Sequence, residues 1–302
     1  MFGNNGHAPW REILLHSFQS LFLITSPSFL YTMGSILRAP PKVTAAEAVL
    51  PGNGMLSAED APKGPSSKLF TPLKIGNGTL TLSHRVVLAP LTRNRGVPLN
   101  PNATLSAPNR TWYPDALVTE YYTQRTTPGG LLITEGLPPS LESNGMPGVP
   151  GLWCAEQVAG WKAVVAAVHA KGGYIYAQLW NAGRASIPQH TGMPTISAAA
   201  TPYEGDEVYP YPPPGSSEQV RYASFPPTEL SHAGIGKQIA DYVNAAKLAV
   251  QECGFDGVEL HGGNGYLPEQ FLSSNINTRT DDYGGTPEKT LSFCAGSHGS
   301  AC

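Results

Sequence analysis

Three side chains within six positions carry this sequence's most concentrated chemistry: His261, Asn264 and Tyr266, in the run His261-Gly-Gly-Asn264-Gly-Tyr266. An imidazole, an amide and a phenol on one turn can together grip a carbonyl or anionic oxygen and deliver a proton. A plainer reading of the same residues is a Gly-rich loop whose polar groups satisfy its own backbone. The element that presents the turn bears on the choice. Residues 255–260 are apolar and β-prone, and short enough for one buried strand. They are entered through Gly254, the residue type that commonly ends a helix in the left-handed conformation. The C-terminal end of a strand in a βα series is where barrel and doubly wound enzymes place their sites.

Earlier segments repeat the pattern. Residues 85–90, 130–136 and 174–180 read as buried strands, with helices over 116–125 and about 156–171 between them. Val158, Trp161, Val165 and Val168 recur at helical spacing on the second helix and are core residues. Ser231 caps a helix of about twenty residues whose Ile235, Ile239, Tyr242, Ala246 and Ala249 face inward. The alternation implies a parallel sheet, open or closed into a barrel. Thr92, Glu135, Gln178 and His261 fall at one set of strand ends, as a barrel's active face requires. No GxGxxG turn follows the first strand, which disfavours an open dinucleotide-binding sheet, and no Walker, HExxH or GxSxG motif is present. Before the first strand, Asn77-Gly78 marks a hairpin turn between two short apolar runs. The 187–227 segment is a long loop rich in Pro, Gly and Tyr, of the kind that forms lids or insertions.

With 302 residues, 41% hydrophobic and 14% charged, the chain can bury one large core. A formal net charge of −3 without Lys/Arg runs argues against nucleic acid or an anionic membrane as partner. The four cysteines are widely spaced and make no CxxC, so a reduced, cytoplasmic protein is expected and no metal site is indicated. Three Asn-x-Thr matches, at Asn77, Asn102 and Asn109, matter only in a secreted chain. Residues 1–66 read as a disordered or mis-called leader and linker. Their apolar stretch, 13–31, is interrupted by polar residues and cannot span a membrane, and 40–67 is rich in Pro, Gly, Ala and Ser. Order is expected from Lys68.

Five motifs in order now resemble the old yellow enzyme family in its fungal and plant branch. They are Ala-Pro90-Leu-Thr92-Arg93, Ile-Thr-Glu135-Gly136, Gln178-Leu-Trp180, His261-Gly-Gly-Asn264-Gly-Tyr266-Leu, and Asn277-Thr-Arg279-Thr-Asp-Asp-Tyr283-Gly-Gly285. The resemblance covers about Lys68 to Lys289. It implies a (β/α)8 barrel, of which residues 67–289 would form the N-terminal half. It also implies flavin mononucleotide (FMN) as cofactor and NADPH or NADH as reductant. Thr92 would hydrogen-bond flavin O4, Pro90 and Gly136 would let the backbone approach the ring, and Gln178 would bond the pyrimidine edge. His261 and Asn264 would hold the carbonyl oxygen of an α,β-unsaturated aldehyde or ketone, Trp180 would wall its pocket, and Tyr266 would supply the proton. The activity so implied is reduction of an enone or enal C=C bond, in fungal secondary metabolism.

After Gly285 the family continues with an Asn-Arg-x-Arg-Phe helix and four more strands, whereas residues 290–302 here form a Gly-, Ser- and Cys-bearing tail that does not read as a barrel helix. The family's arginine near flavin N1 and its phosphate-binding backbone have no counterpart in this sequence. Two alternatives stand beside the reductase: a truncated, non-catalytic remnant, and a flavin-assisted isomerase. Tyr266 favours reduction, since isomerising members of the family tend to lack that donor. A half-barrel would also expose open strand edges and invite self-association.

Overall fold

The computed structural model describes residues 67–299; the expected leader and linker, residues 1–66, and the last three residues lie outside it. Two compact units divide the chain, with their boundary after Thr81. In the first, β1 (Leu73–Ile75) pairs with β2 (Leu80–Leu82), which ends just past that boundary. The turn joining these strands runs through Gly76, Asn77 and Gly78, all at positive φ, and is the hairpin that Asn-Gly signalled.

The second unit is built on four parallel strands with helices between them. β3 (Val87–Leu88) is followed by a short antiparallel pair, β4 (Val97–Pro98) and β5 (Trp112–Tyr113), and by α1 (Ala116–Arg125). Then come β6 (Leu131–Leu137), α2 (Ala155–Ala170) and β7 (Tyr174–Leu179). α3 (Pro188–Thr191), β8 (Ile196–Ser197) and β9 (Thr228–Glu229) lie in or beside the long loop, and α4 (His232–Lys247) runs through a π turn (Leu248–Cys253) into β10 (Gly257–Leu260). α5 (Leu267–Leu272), α6 (Pro287–Thr290) and α7 (Ser292–Gly299) complete the unit. The sheet order is β10-β7-β6-β3, all parallel. Each strand neighbours the next in sequence, which is how strands are laid down in a (β/α)8 barrel; a doubly wound sheet reverses its order.

Local chemistry explains the helix boundaries. Asp115 Oδ1 accepts from Leu117 N and Val118 N at 3.0 and 3.3 Å, and Ser231 Oγ accepts from Gly234 N at 3.1 Å, each satisfying N–H groups that a first turn leaves free. Gly254 ends the π turn at φ +83°, a conformation that costs other residues about 1 kcal/mol or more. Trp161, Val165 and Val168 of α2 are buried as their spacing foretold, and Val158 packs at the margin. Trp161 bridges Tyr122 of α1 and Phe255, with ring centroids 6.0 and 5.9 Å away.

Two expectations are corrected. The first strand is not a buried run over 85–90: only Val87 and Leu88 are strand, and Val87 is 39% exposed. Its single neighbour is β6, so it lies at an edge with one ladder unmade. The C-terminal stretch does form a helix, α7, docked on α4 and α5. Phe293 is fully buried and its ring stacks on Phe271 at 4.4 Å with 3° between planes; Cys294 is buried beside it. Two apolar residues facing one groove outweigh the weak helix propensity of Gly and Ser. Phe293→Leu is expected to lower stability by about 1 kcal/mol, the worth of such an aromatic pair, read from urea unfolding. No loss would mean that the stacking contributes nothing.

The 187–227 segment is not structureless. It folds over the strand ends through the β8–β9 pair and a tyrosine cluster in which Tyr203 stacks on Tyr222 at 4.5 Å and Tyr209 packs edge-on at 5.5 Å. Arg279 fastens it: Nη1 donates to Ala198 O at 2.9 Å and Leu230 O at 2.7 Å, while Nε bonds Asp281. Arg184 adds bonds to Thr201 O and Pro202 O and lies over the Tyr203 ring.

Candidate active site

The C-terminal ends of β6, β7 and β10 bring most of the expected residues together. β7 stands between β6 and β10 and places Gln178 level with Gly136 on one side and Glu259 on the other. A bulge in β6 between Ile133 and Gly136 creates that register. Gly136 must be glycine here, since a Cβ would lie 2.8 Å from Trp180 Cβ. Trp180 is buried with its indole N–H unpartnered, and its ring meets Tyr266 edge-on at 5.2 Å.

β10 delivers the turn that follows it. His261 N donates to Leu179 O at 2.9 Å, which extends the ladder and fixes the ring's point of departure. The Gly263 N–H reaches His261 Nδ1 at 3.4 Å, which ties the ring to its own turn. Burial lowers the imidazole's pKa and keeps it neutral, against a weaker pull from Glu269. Asn264 holds φ +59°, which turns its amide back until Nδ2 lies 3.5 Å from His261 Nε2. The amide nitrogen and the imidazole nitrogen thus lie side by side, where both could be turned toward one ligand oxygen. Tyr266 follows as the N-cap of α5, its ring 5.1 Å from the imidazole. Burial, then the nearby Tyr211, raises its pKa above the ordinary phenol value, so the proton stays on through neutral pH.

Pro90 and Thr92 stand apart. Thr92 is exposed on the turn after the edge strand β3 and makes no hydrogen bond among the described residues. Its turn is tethered from below: Arg93 N donates to Glu135 Oε2 at 3.0 Å. Asn94, at φ +52°, donates to Pro147 O and accepts from the lid's Tyr211 hydroxyl at 3.2 Å. Glu135 was placed at the active face from sequence without a role, and Glu259 was not assigned to the site. Strand periodicity could have put Glu259 on the face of His261, two residues on, but not beside Gln178.

The ring-side donor set fits a flat heterocycle carrying an imide. Gln178 spends one N–H on Glu259 Oε1 at 2.7 Å, and its carbonyl oxygen takes no hydrogen bond among the described residues. Gly136 lets Trp180 pack directly against the β6 backbone, and Thr92 is exposed with its hydroxyl unpartnered among the described residues. No group of three or more potential metal ligands occurs among the described residues. No helix there is long and apolar enough to cross a membrane.

Comparison with known proteins gives the family. The model of the NADH:flavin oxidoreductase / NADH oxidase family matches residues 68–296. A flavin oxidoreductase, hxnT, of Emericella nidulans is 42% identical over 225 residues, which are 74% of this chain and 53% of that protein. A probable inactive reductase, easA, of Epichloe festucae var. lolii is 44% identical over 236 residues, 76% of this chain and 53% of that protein. The structure of morphinone reductase in complex with tetrahydroNAD superimposes with a TM-score of 0.67 at 36% identity, covering 78% of this chain and 60% of that one. The chain spans about half the length of the curated relatives it matches.

Proposed function

Because the chain belongs to the NADH:flavin oxidoreductase / NADH oxidase family, the old yellow enzymes, we propose that it serves FMN-dependent reduction of the C=C bond of α,β-unsaturated aldehydes or ketones, with NADPH or NADH as reductant. The observation that carries the reading is the triad after β10: an imidazole and an amide nitrogen 3.5 Å apart beside a phenol whose pKa is raised. Thr92, Gly136 and Gln178 would hold the flavin ring, with Pro90 beside Thr92. Bound FMN supplies the hydride that reaches the substrate β-carbon. As that carbon is reduced, negative charge grows on the carbonyl oxygen, and the His261 and Asn264 N–H groups stabilise it without reorganising. Tyr266 gives its proton to the α-carbon, and burial of the phenol keeps that proton available. Trp180 and the tyrosines of the lid wall the pocket and exclude water. A cytoplasmic setting and a place in fungal secondary metabolism belong to the same proposal, and the likeness to proteins of two fungi supports only its fungal part. Pairing through the outer strands also belongs to it, supported by Val87 and Val258, 39% and 38% exposed on β3 and β10.

The purified chain with FMN, NADPH and 2-cyclohexenone tests the reading. Saturated ketone formed in step with NADPH consumption is expected. FMN binding without turnover would favour a non-catalytic protein, a reading to which the likeness to the probable inactive reductase gives weight. Migration of the double bond without nicotinamide consumption would mean isomerisation. The oxygen clamp has its own test. A phenolate mimics the charged oxygen, so the double replacement His261→Ala with Asn264→Ala is expected to weaken p-chlorophenol binding at least ~10-fold, since charge-assisted donors are the stronger ones. The charge-transfer band of the complex reports it, and a band of undiminished affinity would remove the pair from that role.

A further inference from the structure

A carboxylate beneath the expected cofactor edge has no role in the account above. Glu259 lies on β10 directly opposite Gln178 of β7, and the two side chains share the face that carries His261. The Gln178 Nε2 donates to Glu259 Oε1 at 2.7 Å, the short distance of a bond to a charged acceptor. Gln178 is otherwise nearly enclosed, 6% exposed, and its backbone N–H is taken by Thr134 Oγ1 at 3.0 Å. A primary amide is close to symmetric in shape, so packing alone does not decide which end points where. An ionised carboxylate decides it, because it accepts only and must face the NH2 end. The carbonyl oxygen is thereby turned the other way, and one N–H remains beside it.

We propose that Glu259 is a positioning residue: it fixes the amide of Gln178 so that an acceptor and a neighbouring donor meet the imide edge of the bound flavin in one order. The inference rests on FMN being the ligand. That edge alternates C=O, N–H and C=O. A carbonyl oxygen facing the ring N–H makes a bond, whereas an NH2 facing it would set donor against donor. Without Glu259 the amide could present either order, and selecting one would fall to the ligand. Burial raises the Glu259 pKa, and the Gln178 hydrogen bond offsets part of that rise by favouring the charged form.

The test compares FMN with 3-methyl-FMN, which lacks the ring N–H, by titrating each into the full chain and following flavin fluorescence. The wild-type chain is expected to prefer FMN by about tenfold, the worth of one good hydrogen bond. E259Q is isosteric and tolerates either amide order, so the preference should fall about twofold. E259K is a donor only, demands the carbonyl end and reverses the amide, so the preference should fall about tenfold. Comparing the ratio cancels any effect of the substitution on overall charge or stability. A preference equal to wild type in both folded variants would overturn the inference and leave Glu259 a strand-to-strand tie. If circular dichroism shows E259K unfolded, an undiminished ratio in E259Q overturns it by itself. Binding of neither flavin by the wild-type chain would instead sink the FMN reading, and this inference with it.

Discussion

Replacing Tyr266 by phenylalanine will slow enone reduction by about 10²–10⁴-fold in the flavin-loaded protein, the range for losing a general acid, and leave reduction of the flavin by NADPH unchanged. The asymmetry follows from what the ring does and what its hydroxyl does. The ring packs edge-on against Trp180 at 5.2 Å and against His261 at 5.1 Å, and phenylalanine keeps both contacts. The backbone of residue 266 is held by its N–H to Gly263 O at 3.3 Å and caps α5, and neither feature needs a hydroxyl. The His261 and Asn264 side chains therefore keep their places, and only the hydroxyl is lost. Burial holds that proton on the phenol through neutral pH, so below about pH 9 the wild-type rate should not depend on Tyr266 ionisation. Stopped-flow measurement of the two half-reactions decides the matter. Equal slowing of both would show that Tyr266 shapes the flavin site and does not act as the acid.

That triad was legible because its signal is local. His261, Asn264 and Tyr266 sit within one turn, and Gly262, Gly263 and Gly265 leave little for the turn to do except present them. The strand order was legible for a similar reason, since alternating strands and helices leave few topologies open. The interior β6 and β7 matched their apolar runs closely, and the edge strand did not. Strand content in Arg85-Val-Val-Leu-Ala-Pro depends on whether a second neighbour is present, which its own residues do not encode. α7 was missed because helix propensity reads Gly and Ser, while the helix is held by Phe293 against Phe271, twenty-two positions earlier in sequence. The partners of the carboxylates behind the site were opaque for a different reason. Glu135 and Glu259 act on residues of other strands, and pairing them with Arg93 and Gln178 needs the register.

Glu135 will make the fold less stable as pH rises, by ~3 kcal/mol between pH 4.5 and 7, and Glu135→Gln will abolish that dependence. The side chain is fully buried. Burial pushes its carboxyl from 4.5 up to about 7, against a smaller downward pull from the Arg93 N–H, the Arg93 charge and the Asn94 N–H. One oxygen accepts the Arg93 N–H at 3.0 Å, and the other has no partner. Tyr122 next to it offers no countercharge; its hydroxyl accepts the Glu135 backbone N–H, and its own pKa is also raised by burial. Because the folded-state value lies above the unfolded one, the native state keeps a proton that the unfolded chain has released. Stability is then full below about pH 4.5 and is lost as pH climbs through about 7, at about 1.4 kcal/mol per pH unit. Glutamine keeps an acceptor for the Arg93 N–H and carries no charge at any pH. Urea unfolding should therefore give E135Q and wild type similar stabilities at pH 4.5, and E135Q ~3 kcal/mol more at pH 8. Parallel pH profiles for the two proteins would mean that Glu135 titrates normally and is reached by water. The cost has a structural reason. The Arg93 N–H belongs to the loop that displays Thr92, and the side chain that accepts it holds that loop in place at the open edge of the sheet.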